Sequence, residues 1–427
     1  MVVKFISYFF SLLLMLGLAS LMICCDTSSN LPSPDDSYFI KYYGEDGDQS
    51  GVDMVVNSDG TVIILGKSTQ TKQGIFLVKI DSKGKILWQK NFGGPTDDPK
   101  DIELTLNGDY VILSDYLQVS NNRDAKLIIV DASGKIVDSA VYGTTGNDVV
   151  NTVTPLTDGG FVIAGFTDYN PNPTVFKDRI SSFLHFRCTA DLTFYNNEDG
   201  LWNNVDGYNG QGGVVAGSVN VCTKIIERAD NSFNVFGYSN TNYFNTNNKM
   251  ILFYYKLNEA GLSNPNYLYT PEDIQSAYVM PVPSSLLSGY FIVSTSNGTS
   301  VSPKLHVSKL RDPLKFNEVD DKQFDQNVLG NKQLIGVSAS PSVTVPQGYL
   351  VVSNEINETG QRNILLSKVN QSGDEVWSTT FGSSRNDTAA AVAELPDGKI
   401  LILCTIQLDI QTKIALMKVN SKGQFLD

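Results

Sequence analysis

The chain has 427 residues, 41% hydrophobic, 10% aromatic and 18% charged, a balance that excludes a disordered polyelectrolyte. Its formal net charge of −13 works against nucleic-acid binding, which requires basic patches to neutralise phosphates. With two histidines, His185 and His306, zinc chemistry and histidine-based catalysis have few residues to draw on.

Residues 1–25 read as a lipoprotein signal peptide, with Lys4 ahead of an apolar run from Phe5 to Met22 and no basic stop-transfer flank. The run ends Leu21-Met22-Ile23-Cys24-Cys25-Asp26, which resembles a bacterial lipobox. That resemblance implies lipidation of Cys25 (Cys24 being the alternative) and a membrane partner reached through acyl chains rather than a helix. The expected address is the bacterial cell envelope, as an outer-membrane lipoprotein. An ordinary signal peptide with incidental cysteines is the competing reading. Residues 26–36, rich in Pro, Ser and Asp, form a tether, and the folded domain is expected over 37–427.

Within that domain one stretch repeats: Asp81 to Gly93, Asp131 to Gly143 and Asn370 to Gly382, each with two glycines nine apart. Around it recurs a turn followed by an apolar run, which is a hairpin signal. The turns are Asp59-Gly60, Asn107-Gly108, Asp158-Gly159, Asp230-Asn231, Ser288-Gly289, Gln347-Gly348 and Asp397-Gly398. Third strands follow at Phe76–Ile80, Leu127–Val130, Ile251–Tyr254, Leu365–Val369 and Ala415–Val419. A period near fifty residues of this kind predicts an all-β, seven-bladed β-propeller. The chain stops where a fourth strand of the last unit is due. Ser37 to Gly44 supplies the missing pattern, with Phe39 at the place of Trp88 and Trp377. The N-terminal strand is therefore expected to complete the C-terminal blade, an open β-solenoid being the alternative.

The Phe/Tyr-Gly-x-x-x-x-Asp junctions and Asp158-Gly-Gly-Phe-Val-Ile-Ala-Gly165 resemble the propeller-repeat lipoproteins and secreted proteins of Bacteroidetes-type bacteria. The likeness runs from Ser37 to Asp427, strong in units 1, 2, 6 and 7 and weaker in the longer units between them. It implies an architecture and no chemistry. The strand carrying Trp88 and Gly93 also looks like the tryptophan-docking repeat of pyrroloquinoline quinone dehydrogenases and outer-membrane assembly scaffolds. Those have eight units against seven here. Sialidase-type Asp boxes differ by one residue in the Gly-to-Trp spacing.

Asp98, Asp148 and Asp387 each lie five residues after a junction glycine. They read as acceptors for the N–H groups of the turn, with a cation-binding ring as the alternative. Asp46-Gly47-Asp48-Gln49-Ser50-Gly51 opens like a calcium loop, which makes Asp46 and Asp48 weak metal candidates. Asn57 and Met54 stand where that loop needs further ligands, so no cofactor is assigned and calcium stays a minor alternative. Trp88 and Trp377 are expected between blades, and Cys404 as a buried thiol. Cys188 and Cys222 are expected to remain unpaired.

The long insertions carry Tyr195, Trp202 and Tyr208, and the Asn-rich loop Ser239 to Asn248 carries Tyr243. Aromatic faces among amide side chains suit a sugar or peptide, so these four are the candidate ligand-binding residues. Trp202 is equally readable as a buried copy of the repeat strand. The expectation is a non-enzymatic, lipid-anchored module binding a glycan, peptide or partner protein. Two alternatives stay open: a hydrolase or lyase with carboxylates at the central channel, or a structural subunit of an envelope complex.

Overall fold

The computed structural model describes residues 37–69, 73–169, 181–195, 203–206, 219–240, 250–258, 263–267, 274–281, 289–296, 304–311, 324–329 and 333–426. The chain divides into two units, Met1–Tyr38 and Phe39–Asp427. Of the first, Ser37 and Tyr38 alone are described.

The second unit is all β, with no helix among the described residues. It opens with β1 (Phe39–Tyr43). The first sheet then takes β2 (Gln49–Val56), β3 (Val62–Ser68), β4 (Ile75–Ile80) and β5 (Ile86–Phe92). The second takes β6 (Asp98–Leu104), β7 (Tyr110–Leu117), β8 (Arg123–Val130) and β9 (Ile136–Tyr142). The third takes β10 (Asp148–Pro155), β11 (Phe161–Thr167), β12 (Ser182–Cys188) and β13 (Asn203–Asp206). The fourth takes β14 (Asn220–Glu227), β15 (Phe233–Ser239), β16 (Ile251–Leu257) and β17 (Ser263–Tyr267). The fifth takes β18 (Ile274–Pro281), β19 (Gly289–Ser296), β20 (Lys304–Arg311) and β21 (Phe324–Leu329). The sixth takes β22 (Gln333–Ser342), β23 (Gly348–Ile356), β24 (Arg362–Asn370) and β25 (Glu375–Phe381). The seventh has β26 (Thr388–Glu394), β27 (Ile400–Leu408) and β28 (Gln411–Val419), with β1 as its fourth strand, paired Phe39↔Lys418 through Tyr43↔Ile414.

The turn residues explain why these hairpins form where they do. Gly60 adopts φ +80°, and its N–H donates to the Asn57 carbonyl at 3.0 Å. That left-handed conformation is open to glycine and tolerated by asparagine, which is why Asn231 (φ 57°) serves in the fourth sheet. The first strand of every sheet carries a register shift, between Gly51 and Asp53 in β2 and Pro99 and Asp101 in β6. The same shift recurs at Val150/Thr152, Cys222/Lys224, Ile274/Ser276, Ile335/Val337 and Ala389/Ala391. A bulge adds one residue to one strand, which bends it and re-aims the side chain that follows.

Consecutive sheets share apolar clusters. Leu65 and Leu77 meet Ile112 and Ile128, and Leu113 and Leu127 meet Ile163 and Phe186. Farther along, Phe183 meets Phe233, Phe236 meets Tyr290, Phe291 meets Tyr349, and Leu366 meets Ile402. Leu403 and Ile414 of the seventh sheet share a cluster with Ile64 and Phe76 of the first. A fully buried side chain of this size contributes about 1.5–3 kcal/mol, so these face-to-face contacts dominate the stability. The arrangement is propeller-like.

The outer strands add a second device. The Trp88 ring of β5 lies over Gly134 in the next sheet and donates Nε1–H to the Ala132 carbonyl at 3.2 Å. Trp377 sits over Gly423 in the same way, and Phe39 of β1 over Gly84. Both tryptophans are half-buried, between sheets as expected. The Tyr43 hydroxyl donates to the Gly84 carbonyl at 2.9 Å, tying β1 to the first sheet.

Candidate functional site

The position after each bulge builds the centre of the site. Asp53, Asp101, Thr152 and Lys224 occupy it in the first four sheets, and Ala391 occupies it in the seventh. Asp53 Oδ1 accepts from the Met54 N–H at 2.8 Å, and Oδ2 accepts from the Ile102 N–H of the next sheet at 3.3 Å. Asp101 repeats the move one sheet on, its Oδ2 accepting from the Val153 N–H and the Thr152 hydroxyl, both at 2.8 Å. These two carboxyls therefore tie neighbouring first strands together, satisfying N–H groups that the bulges leave unpaired.

Glu103, two residues beyond Asp101 on the same strand face, breaks the repeat. It is salt-bridged by Lys224 Nζ at 3.1 Å, a contact that passes over the third sheet from β14 to β6. The same ammonium reaches Thr152 Oγ1 at 3.1 Å. Burial opposes the charge on Lys224, but Glu103 and Asp101 outweigh it and hold the lysine above its ordinary value. Glu103 is itself raised, chiefly by burial, with Lys224 pulling the other way. Asp53 is pushed well above the usual carboxylate range, first by burial, then by the charge and hydrogen bond of Asp101, with Glu103 adding to it. The shift favours the protonated form of the Asp53 carboxyl. The Tyr278 phenol is raised by burial as well, with Lys224 opposing.

These groups face a cavity of about 570 Å³ bordered by residues from the first strand of all seven sheets. Besides Asp53, Asp101, Glu103, Lys224 and Tyr278, its wall includes Lys100, Asn151, Thr223, Tyr238, Ser338 and Ala390. A volume of this size lies within the range of about 300–1,000 Å³ typical of small-molecule sites. Lys224 and Glu103 keep 23% and 37% of their side chains exposed, so water and a ligand reach them through the cavity while protein surrounds them. Lys100 is held at the rim by Asp98 at 2.7 Å and Asp115 at 3.4 Å. Among the described residues, no three His, Cys, Asp or Glu side chains are arranged to hold a metal ion.

Tyr195, a candidate from the sequence, does not border this cavity. Tyr195 is half-buried, its ring stacked 3.8 Å from the Arg187 guanidinium and packed on the cluster around Phe233, so its face is already used. Trp202, Tyr208 and Tyr243 lie outside the described residues, as do Cys24 and Cys25. The Asp48 carboxylate accepts the Thr412 N–H at 2.8 Å, tying the β1–β2 turn to β28, and Asp46 is exposed on that turn. Asp148 and Asp387 accept turn N–H groups, from Thr144 and Ser383. Asp98 does not: it pairs with Lys67 at 2.6 Å and with Lys100, because its neighbour Asp97 packs against the junction glycines instead. Cys188, Cys222 and Cys404 are buried thiols.

Sequence reading missed Asp53, Asp101, Glu103 and Lys224. One signal was available: Asp53, Asp101, Thr152, Lys224 and Ala391 each stand seven residues before the turn residue Gly60, Gly108, Gly159, Asn231 or Gly398. What that position carries differs from sheet to sheet, so it forms no motif.

No family model matches the chain, and no curated protein matches it in sequence. Similar solved structures include a Dyadobacter fermentans protein described as of unknown function, at 10% identity and TM-score 0.48, over 90% of this chain and 97% of that one. An ulvan lyase of a polysaccharide lyase family is similar at 10% identity and TM-score 0.49, over 90% of this chain and 96% of its own. A Hadza microbial sialidase is similar at 10% identity and TM-score 0.47, over 83% and 75%. Likeness at this level transfers no activity to this chain.

Proposed function

We propose that the chain is a lipid-anchored, closed seven-bladed propeller that binds a small polar ligand in its central cavity. The single observation that carries the reading is the cavity itself, bordered by the first strand of every sheet and crossed by the Lys224–Glu103 pair. Ring closure is supported by β1 completing the seventh sheet and by the cluster that sheet shares with the first. Relative to the loop aromatics expected from sequence, the binding site moves to the centre, where polar groups converge. The anchor rests on the Cys24-Cys25 segment, and envelope localisation follows from it; detergent-phase partitioning lost in Cys25→Ser and kept in Cys24→Ser is the expected result.

The test of the binding reading is a thermal-shift screen of residues 26–427 with sugars, amino acids, amines and dicarboxylates, alongside Ser338→Trp. Ser338 lines the cavity, and tryptophan there fills part of it. A ligand that raises Tm in the native protein and not in the folded Ser338→Trp variant supports the reading. Equal shifts in both, or none with any class, oppose it.

A second reading, acid–base chemistry on the bound ligand, is favoured by one observation: Asp53, whose carboxyl is raised by burial and by its neighbour Asp101, borders the cavity. In that reading Asp53 is the acid. Turnover of aryl glycosides that vanishes in Asp53→Asn, with ligand affinity retained, is its expected signature.

A further inference from the structure

We propose that the cavity takes a small organic cation, a primary amine in its ammonium form, held by the Glu103 and Asp101 carboxylates beside Lys224. The inference rests on the cavity being the ligand site and deepens that reading by naming the ligand's charge and chemical class.

Charge around the cavity is lopsided. Among the described strands that open the seven sheets, Lys100 and Lys224 are the two basic residues. Lys100 is already held by Asp98 at 2.7 Å and Asp115 at 3.4 Å, neither of which borders the cavity. That leaves Asp53, Asp101 and Glu103 on the wall against Lys224 alone. The wall is negative whether or not Asp53 carries a proton, because Asp101 and Glu103 by themselves outnumber the one ammonium. These carboxyls also line a cavity of about 570 Å³ rather than an open surface, so a ligand's carbon frame has somewhere to sit.

The contacts on the wall favour a cation over an anion. Glu103 gives Oε1 to Lys224 at 3.1 Å while 37% of its side chain stays exposed, so Oε2 remains to accept an N–H. Asp101 accepts the Thr152 hydroxyl and the Val153 N–H through Oδ2, both at 2.8 Å, and a carboxylate has lone pairs beyond these two. A ligand ammonium can therefore reach either carboxylate with no existing contact broken, in a charge-assisted hydrogen bond. An anion finds one positive partner, Lys224, whose Nζ already faces Glu103 and Thr152 at 3.1 Å each. It would enter against the field of the carboxylates and separate the pair that holds its only partner. Tyr278, 37% exposed, and the half-buried Tyr238 border the same space, and a phenol ring attracts a cation to its face. Lys224 among the carboxyls disfavours a compact divalent ion, whose concentrated charge it would meet at close range.

The experiment is isothermal titration calorimetry of the full chain in a neutral detergent at pH 7, with two probe sets matched in frame. One is putrescine, butanediol and succinate; the other is glucosamine, glucose and glucuronate. In at least one set the amine is expected to bind the native protein about tenfold tighter or more than its neutral and anionic counterparts. Glu103→Gln is expected to remove that advantage, and Ser338→Trp to abolish amine binding. Lys224→Met removes the competing ammonium and is expected to tighten the amine about threefold or more; it decides the matter alone should Glu103→Gln not fold. Tighter binding of a neutral or anionic probe to the native protein, lost in Ser338→Trp, overturns the cation inference and leaves the binding reading standing. Calcium that binds there in place of every amine does the same. An amine bound equally well by Ser338→Trp lies outside the cavity and overturns the inference, as does an amine affinity unchanged in both Glu103→Gln and Lys224→Met. Failure of every probe to bind opposes the inference and the reading beneath it together.

Discussion

Replacing Lys224 by Met and Glu103 by Gln, singly and together, measures how far the centre of the molecule behaves as protein interior. The Nζ–Oε1 separation is 3.1 Å. Coulomb's law at that distance gives about 5 kcal/mol at an effective dielectric constant of about 20, and about 1.3 kcal/mol in bulk water. With 23% and 37% of the two side chains exposed to the cavity, the pair sits nearer the screened limit. The expected coupling in a double-mutant cycle is therefore about 1–2 kcal/mol. The single substitutions should be unequal. Lys224→Met strips compensation from Glu103 and from the field of Asp101, so it is expected to cost about 2–3 kcal/mol. Glu103→Gln leaves the ammonium with Thr152 at 3.1 Å and the Asp101 field, so about 1–2 kcal/mol is expected. Urea melts of the four proteins at pH 7 give all three numbers. A coupling below about 0.5 kcal/mol refutes the reasoning, since the two sites would then be additive and the bridge screened out.

Three further outcomes follow from the same contacts. The folded-state value of Asp53 lies above its unfolded value of about 3.9, so the native state holds a proton that the unfolded chain has lost, and stability falls as pH rises above about 4. Asp53→Asn keeps the shape and removes that slope; thermal melts from pH 4 to 8 that stay parallel to the native protein's contradict it. Tyr43→Phe leaves the Gly84 carbonyl without its 2.9 Å hydroxyl donor and is expected to cost about 1–2 kcal/mol in a denaturant melt, with no change in cavity binding. Gly134→Ala meets both a φ of +78° and the Trp88 ring 2.8 Å from the new Cβ, for about 2 kcal/mol or more. A red shift of tryptophan emission reports the displaced ring, and an unshifted spectrum opposes the lock described for β5.

How much of this was legible in the sequence depends on what repeats. The turn at Asp59-Gly60 is built the same way in the first four sheets and the seventh, where Gly60, Gly108, Gly159, Asn231 and Gly398 take the left-handed conformation that reverses the chain. The run after it has to be apolar because sheets cover both its faces. Those constraints write themselves into the chain at a regular spacing, and all seven second strands, β3, β7, β11, β15, β19, β23 and β27, lie where the turns placed them. Phe39, Trp88 and Trp377 were legible for the same reason, each resting over a glycine of the neighbouring sheet.

The candidate site follows the opposite logic. Its scaffold repeats, since every first strand bulges at the same place, but its chemistry consists of departures from the repeat. One position carries Asp53 and Asp101 as inter-sheet ties, then Thr152, then Lys224. The Lys224–Glu103 bridge joins residues 121 apart in sequence, and no local pattern couples them. Tyr195 lies instead against Arg187 of β12, whose guanidinium covers one face of its ring and is itself buried. In a repeat protein the fold is what the units share. A site at their common centre is written in what they do not share, so it becomes readable once the pairing register shows which residues occupy equivalent places.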